Sequence, residues 1–173
     1  MQNASAIEFR DYCDEDLWLT EALECDSLVM HDLGGPTARE TVQQHHRRRL
    51  NSVLEKAVWY LTIRPDPDAQ PVGTIGIWQA DWQGAKINEM GWMLLPAFHG
   101  RGLATAAGRL LLYRARDERR YRQVHAFPSV SNGASNAICR KLGFTLLGEC
   151  EIAYNGPPRP SHHWQIDLWN ESA

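Results

Sequence analysis

Residues 93–112 have the composition of an anion-binding turn. An apolar strand ends at Pro96, a turn containing Gly100 and Gly102 follows, and an amphipathic helix starts after the second glycine. Free backbone N–H groups and the dipole at a helix start attract phosphate, and glycine lets it approach the backbone closely. Arg101 adds a positive charge to the turn. We expect a phosphate-bearing ligand here, the alternative being a tight turn that binds nothing.

Two common nucleotide-binding patterns are absent from this sequence. The P-loop pattern GxxxxGK[ST] does not occur. The dinucleotide pattern GxGxxG fails, because Gly102 is followed by Leu103, Ala104 and Thr105. The ordinary nucleotide-binding folds are therefore disfavoured.

The periodicity of apolar residues predicts the elements that position this turn. Strands are expected at 6–12, 57–63, 72–80, 86–95, 122–128, 144–154 and 162–169. Helices are expected at 14–30, from Thr37 to about Lys56 with a Thr37–Glu40 capping box, from Gly102 onward, and in a short segment that Gly143 ends. The order β-α-α-β-β-β-α-β-α-β-β predicts an α/β fold, with helices flanking one mixed, largely antiparallel sheet.

Length and composition predict one globular domain spanning 1–173. The hydrophobic share is 43%, the charged share 23% and the net charge -3. Nucleic acid is an unlikely partner for such a chain, although Arg47–Arg49 and Arg114–Arg122 are local basic clusters. A solvated helix face accounts for the first cluster more simply than a ribosome or RNA contact does.

The remaining bulk features predict a cytoplasmic protein without a metal. No apolar run approaches the length of a membrane span, and no leader peptide is recognisable. The cysteines have neither a CxxC pair nor the spacing of a zinc site, so we expect reduced thiols: Cys13, Cys25, Cys139 and Cys150. Adjacent histidine pairs point in different directions, which argues against a metal site.

Two stretches of the sequence, the glycine-containing turn and a segment further along the chain, resemble motifs of the GNAT superfamily of N-acetyltransferases. Its pyrophosphate loop has Gln or Arg, two residues, Gly, one residue and then Gly or Ala, which is matched by His99, Gly100, Arg101, Gly102, Leu103 and Ala104. His99 departs from the usual Gln or Arg. A second stretch, NGASNAICRKLGF at 132–144, resembles the family's coenzyme-binding helix. The whole pattern is most similar to the Rim-type branch, which acetylates N-terminal amines of ribosomal proteins and includes many small-molecule acetyltransferases.

The resemblance implies acetyl-coenzyme A as cofactor and assigns roles on that side of the site. The pantetheine arm is expected along Met93, Leu94 and Leu95, the pyrophosphate at 99–105 including Thr105, and further contacts at Asn132 and Ser135. Ser135 is also the candidate that stabilises the departing thiolate. Relatives often place a tyrosine acid at the position of Cys139, so the usual general acid is missing.

On the acceptor side the resemblance implies a carboxylate base and a primary amine. Glu89 alternates with Gly91 and Met93 on one strand face and is the candidate base, the alternative being a structural carboxylate. The other acceptor-site candidates are His31, Asp32, Tyr154 and His163. The acceptor is a small-molecule amine or a protein N-terminus, and the enzyme a monomer or homodimer. The alternative is a non-catalytic acetyl-coenzyme A sensor or interaction module.

Overall fold

The computed structural model describes residues 7–170, which form seven strands and four α-helices in the predicted order. The strands are β1 (Glu8–Asp11), β2 (Trp59–Arg64), β3 (Gly73–Trp82), β4 (Ala85–Leu94), β5 (Gln123–Ala126), β6 (Thr145–Ile152) and β7 (Arg159–Asp167). The helices are α1 (Leu17–Glu24), α2 (Arg39–Leu54), α3 (Leu103–Asp117) and α4 (Gly133–Lys141). Within this range, no helix is both long and apolar enough to span a membrane.

All seven strands belong to one mixed sheet with the order β1-β2-β3-β4-β5-β7-β6. The β3–β4 hairpin is its longest ladder and runs from the Gly73–Leu94 pair to the Trp82–Ala85 pair. All neighbouring strands are antiparallel except β4 and β5, which are parallel and pair at one position, Glu89 with His125. The predicted α/β fold with a mixed, largely antiparallel sheet is confirmed.

Alternating residues separate the two faces of the sheet. One face carries Leu61, Ile75, Ile77 and Met90, which are buried with the apolar side of α3. Burial of such side chains stabilises the fold by about 1.5–3 kcal/mol each. The opposite face lies under α1 and α2, where the Tyr12 hydroxyl is hydrogen-bonded to α1 and α2 side chains.

The structure corrects three predictions near the start of the chain. The helix expected at 14–30 is a 3-10 turn at Asp14–Asp16 followed by α1, which ends at Glu24. The capping box expected at Thr37 does not form, since α2 begins at Arg39 after Ala38 without a side-chain cap. Thr37 is instead buried, and its N–H donates to the carbonyl of Glu24 at 2.7 Å. The strand predicted from residue 6 begins at Glu8, and Ala6 lies outside the described residues.

Asn136 joins α4 to the sheet with a fully satisfied buried amide. Its Nδ2 donates to the carbonyls of Ser129 and Asn132 at 2.9 and 2.8 Å. Its Oδ1 accepts from His162 Nδ1 at 2.8 Å and from Trp164 Nε1 at 2.9 Å. Because the residue is only 3% exposed, water cannot replace these four partners.

Asn136→Ala should lower the free energy of unfolding by about 2–4 kcal/mol, because it leaves buried donors and acceptors unpaired. Urea denaturation measures this loss. Asn51→Ala is the matched control, since Asn51 is exposed on α2, and should change stability by less than about 0.5 kcal/mol. Equal stability of the two variants would contradict the structural role of Asn136.

Candidate active site

The sheet opens between β4 and β5, and a cleft of about 970 Å³ passes through the opening. Beyond the Glu89–His125 pair, β4 continues to Leu94 whereas β5 diverges toward β7. The cleft is lined on one side by the start of α3 and by α4, and on the other by α2 and the aromatic face of the sheet. It therefore connects the predicted phosphate-binding turn with the predicted carboxylate base.

The open edge of β4 offers backbone groups at Trp92 and Leu94. Met93 pairs with Thr74 of β3, and the Leu95 N–H donates to the Val72 carbonyl at 2.9 Å. Because neighbouring residues of a strand direct their backbone groups to opposite sides, Trp92 and Leu94 face the gap. Of the three predicted strand residues, Met93 and Leu94 line the cleft and Leu95 does not.

The turn before α3 has the geometry of an anion site. Gly100 and Gly102 have φ values of 71° and 75°, and a Cβ at either would meet no atom within 4 Å, so the backbone there is open to a ligand. The first helical N–H bond is that of Ala106 to the Gly102 carbonyl at 3.0 Å. The preceding N–H groups, those of residues 103–105, therefore remain free for an anion, and these residues line the cleft.

Two side chains of this turn are oriented differently from what the resemblance to the GNAT superfamily implied. The His99 imidazole turns back and donates Nε2–H to the Leu94 carbonyl at 2.8 Å, so it braces the turn against the strand end. The Arg101 guanidinium lies 5.1 Å from the ring centre of Phe98 and is not part of the cleft lining. The candidate anion site is thus built mainly from backbone groups.

The start of α4 forms the neighbouring wall. The Asn132 side chain caps the helix by accepting the Ser135 N–H at 2.9 Å. Asn132 and Ser135 both line the cleft. Cys139, one turn further, is fully buried in the core, and burial raises the pKa of its thiol to about 12. The residue at the usual tyrosine position therefore packs the core and does not reach the cleft.

Glu89 lies at the centre of the opening and is paired with a phenol. The residue is 8% exposed, and the Tyr154 hydroxyl donates a hydrogen bond to its Oε1. The Trp78 indole also hydrogen-bonds to the carboxylate. Gly91 makes room for that indole, since a Cβ there would lie 2.6 Å from the Trp78 ring.

Burial shifts the proton affinities of this pair in a direction useful for base catalysis. Desolvation raises the pKa of Glu89, and the hydrogen bonds from Tyr154 and Trp78 oppose part of that rise. Desolvation of its hydroxyl and the adjacent Glu89 charge raise the pKa of the Tyr154 phenol well above its ordinary value, although 48% of the residue is exposed. Tyr154 consequently remains a neutral hydrogen-bond donor over the physiological pH range, beside a carboxylate with increased basicity.

The loop that carries Tyr154 is held by the segment between α1 and α2. Asn155 Nδ2 donates to the Gly35 carbonyl at 3.0 Å and to the Thr37 hydroxyl at 3.3 Å. Gly34, with φ of 103°, lies directly against the Asn155 carbonyl, and a Cβ at Gly34 would overlap that oxygen. The glycine therefore permits the contact that places Tyr154 over Glu89.

The other acceptor-site candidates occupy three different environments. Asp32 lines the cleft and accepts the Ser131 hydroxyl at 2.6 Å. His31 projects into solvent with 75% of its side chain exposed and is not in the cleft lining. His163 lies beside the cleft in an aromatic cluster with Trp82 and Phe127, and its Nε2 is 2.8 Å from Nδ1 of His125. Burial lowers the pKa of both imidazoles.

Sequence reasoning missed Trp78 and the side of α2 that faces the cleft. Trp78 alternates with Gly76 on β3 and is opposite Glu89 in register, a pairing that strand alternation could have suggested. On α2, residues 45, 48, 49 and 52 line the cleft at helical spacing. Their polar character made this side of the helix resemble a solvated surface.

The sheet and cleft place this chain among α/β proteins that open a mixed sheet beside a phosphate-binding helix start. A family model described as an acetyltransferase (GNAT) domain matches residues 7–145. The chain belongs to this GNAT acetyltransferase family. No curated protein sequence matches it.

Solved structures with the same fold cover nearly the whole chain. A GNAT-family acetyltransferase from Bacillus anthracis has a TM-score of 0.78 at 18% identity, with 97% of this chain and 98% of that chain covered. A Salmonella typhimurium enzyme that modifies the N-terminal serine of a 50S ribosomal subunit protein has a TM-score of 0.76 at 18% identity, with 93% of this chain and 94% of that chain covered. A Vibrio cholerae spermidine N-acetyltransferase, in complex with CoA and spermine, has a TM-score of 0.77 at 14% identity, with 95% of this chain and 96% of that chain covered.

Gly34→Ala should release the loop at 153–158, because the added methyl group would displace the Asn155 carbonyl. Hydrogen exchange of the loop's amides should become faster in this variant. Gly35→Ala is a matched control, since Gly35 has a similar φ of 98° but no atom within 4 Å of the added Cβ. If both variants exchange alike, backbone strain rather than the Asn155 contact controls the loop.

Proposed function

We propose that this protein transfers an acetyl group from acetyl-coenzyme A to a primary amine, with both substrates bound at once. One observation carries the proposal. A single cleft joins the open helix start of α3 to the buried Glu89 carboxylate and its Tyr154 partner, so coenzyme and amine can meet at the splayed strands. Membership of the GNAT family and the fold shared with amine acetyltransferases support it.

The described residues fit the coenzyme on the α3 and α4 side. The free N–H groups of residues 103–105 and the open backbone at Gly100 and Gly102 suit a pyrophosphate. The gap-facing backbone groups of Trp92 and the Leu94 N–H suit an extended amide chain, which would pair with them as another strand does, whereas the Leu94 carbonyl accepts from His99. When bound, acetyl-coenzyme A supplies the thioester carbonyl that the amine attacks.

The residues at the opening divide the proton chemistry between them. Glu89 accepts a proton from the incoming ammonium, directly or through one water, and its raised pKa suits that task. Tyr154 fixes the carboxylate by hydrogen bonding to Oε1. The Ser135 hydroxyl lines the cleft near the free end of α4 and is our candidate donor to the leaving sulfur, since Cys139 is buried in the core.

The finer assignments are part of this proposal. The motif at residues 132–144 supports a Rim-type enzyme, yet structures of the same fold act on a ribosomal protein and on spermidine. Both a protein N-terminus and a small-molecule amine remain acceptor classes. The free cysteines among the described residues suit a cytoplasmic enzyme, acting as a monomer or homodimer.

A non-catalytic sensor is the second candidate, because the position of the usual tyrosine acid holds the buried Cys139. The pairing of Glu89 with Tyr154 favours catalysis. A binding module gains nothing from a desolvated carboxylate of raised pKa, which costs stability when it is charged.

Glu89→Gln should lower the rate of thiol release from acetyl-coenzyme A by about 100-fold or more, because it removes the base without changing the side-chain size. The amines tested as acceptors are amino acids, short peptides, aminoglycosides and polyamines, and release of the coenzyme A thiol is followed with a thiol reagent. Coenzyme affinity, measured by calorimetry, should stay within about twofold of wild type. Tight coenzyme binding without turnover of any amine by the wild type would favour the sensor.

Tyr154→Phe should move the acidic limb of the kcat/KM profile upward by about 1 pH unit. The Tyr154 hydrogen bond lowers the Glu89 pKa, so its removal raises that pKa further, and a base that must be deprotonated then becomes active at higher pH. Tyr113→Phe is the matched control, because Tyr113 is exposed on α3 away from the cleft. A downward shift, or the same shift in both variants, would contradict the Glu89 assignment.

A further inference from the structure

The basic run Arg47–Arg49 divides between two sides of α2. Arg47 is exposed, its Nε donates to the Gln43 carbonyl at 3.4 Å, and it does not line the cleft. Arg48 and Arg49 do line the cleft, together with His45 one turn earlier. The positions 45, 48 and 49 share a helix face, so the wall of the cleft opposite the α3 turn is a row of basic side chains.

The buried carboxylate of Glu24 compensates one arginine of this row. Glu24 is 3% exposed, and its Oε1 forms an ion pair with Arg49 while its Oε2 is 2.7 Å from His45 Nδ1. Arg49 also lies over the Tyr60 ring at 4.8 Å from its centre. These contacts fix Arg49 in place and use both oxygens of the carboxylate.

Arg48 is not compensated in this way. Among residues 7–170 it forms no ion pair with a carboxylate, although Arg39 and Arg49 of the same helix do. Neither of the other two carboxylates that line the cleft forms an ion pair with Arg48, since Asp32 accepts the Ser131 hydroxyl and Glu89 accepts the Tyr154 phenol. The α2 wall therefore carries one positive charge in excess.

We propose that the amine acceptor carries an anionic group, a carboxylate or a phosphate, which binds the α2 wall at Arg48 while the amine reaches Glu89. This inference rests on the proposed function and names the substrate class of the same site. The planar guanidinium binds such groups through two parallel hydrogen bonds. A polyamine would place a second ammonium against the same wall and be repelled.

The test uses pairs of acceptors that share the amine and differ in the anion. O-phosphoethanolamine is compared with ethanolamine, and amino acids and dipeptides with their C-terminal amides, with spermidine as the cationic acceptor. Wild type, Arg48→Gln and the matched control Arg47→Gln are compared by thiol release. Binding of each acceptor to the protein saturated with coenzyme A is measured by calorimetry, which needs no turnover.

The proposal expects the anionic member of at least one pair to exceed its neutral partner by about tenfold in kcat/KM, mainly through KM. Arg48→Gln should remove that preference, and Arg47→Gln should preserve it. The phosphate and carboxylate pairs distinguish the two sources of the anion. Affinity for coenzyme A should be the same in all three proteins, because α2 lies across the cleft from the α3 turn.

Three results would overturn the proposal. The first result is a higher kcat/KM for spermidine than for every anionic acceptor. The second is a preference for the anionic acceptor that is unchanged in the Arg48→Gln variant. In both of these cases thiol release from acetyl-coenzyme A would be observed, so the proposed acetyltransferase function would stand. The third is calorimetry without binding of any anionic acceptor. If thiol release were also absent with every amine, the proposed function would fail as well.

Discussion

The arrangement of the site depends on the point where β4 and β5 separate. Parallel strands normally continue their ladder, and an unpaired edge exposes backbone donors and acceptors. Here the ladder within the described chain stops after the Glu89–His125 pair, while β4 remains fixed to β3 along its full length. A rigid strand therefore presents free backbone groups to a cleft, and a carboxylate lies at the end of the gap.

The two sides of the cleft are built from different materials. The α3 side consists of backbone N–H groups and glycines, whose geometry follows from a helix start. The α2 side consists of ionised and aromatic side chains, of which Glu24, Arg49 and Tyr60 hold one another in place. Backbone groups suit a constant phosphate-bearing ligand, whereas side chains suit a ligand that differs between proteins of one fold.

This division explains what the sequence could predict. The element order, the α3 turn and the Asn132 cap depend on residues a few positions apart, and all were predictable from local patterns. The Tyr154–Glu89 contact joins residues 65 positions apart, so the sequence indicated both without showing that they pair. The Thr37 capping box failed because tertiary burial beside Glu24 outweighed a local preference. That Arg48 lines the cleft while Arg47 does not could not be predicted without the orientation of α2.

The paired glycines at the centre of the hairpin have a consequence for how specificity can evolve. Gly76 and Gly91 are opposite in register. The Trp78 ring lies where a Gly91 side chain would be, and a Gly76 side chain would meet the Trp59 carbonyl and the edge of the Tyr60 ring. The floor of the acceptor region is therefore an aromatic layer resting on bare backbone. A smaller side chain at Tyr60 or Trp78 would deepen this floor, but it would also release Arg49 or remove the Trp78 contact with Glu89. The depth of the cleft and its arrangement of charges therefore cannot change independently.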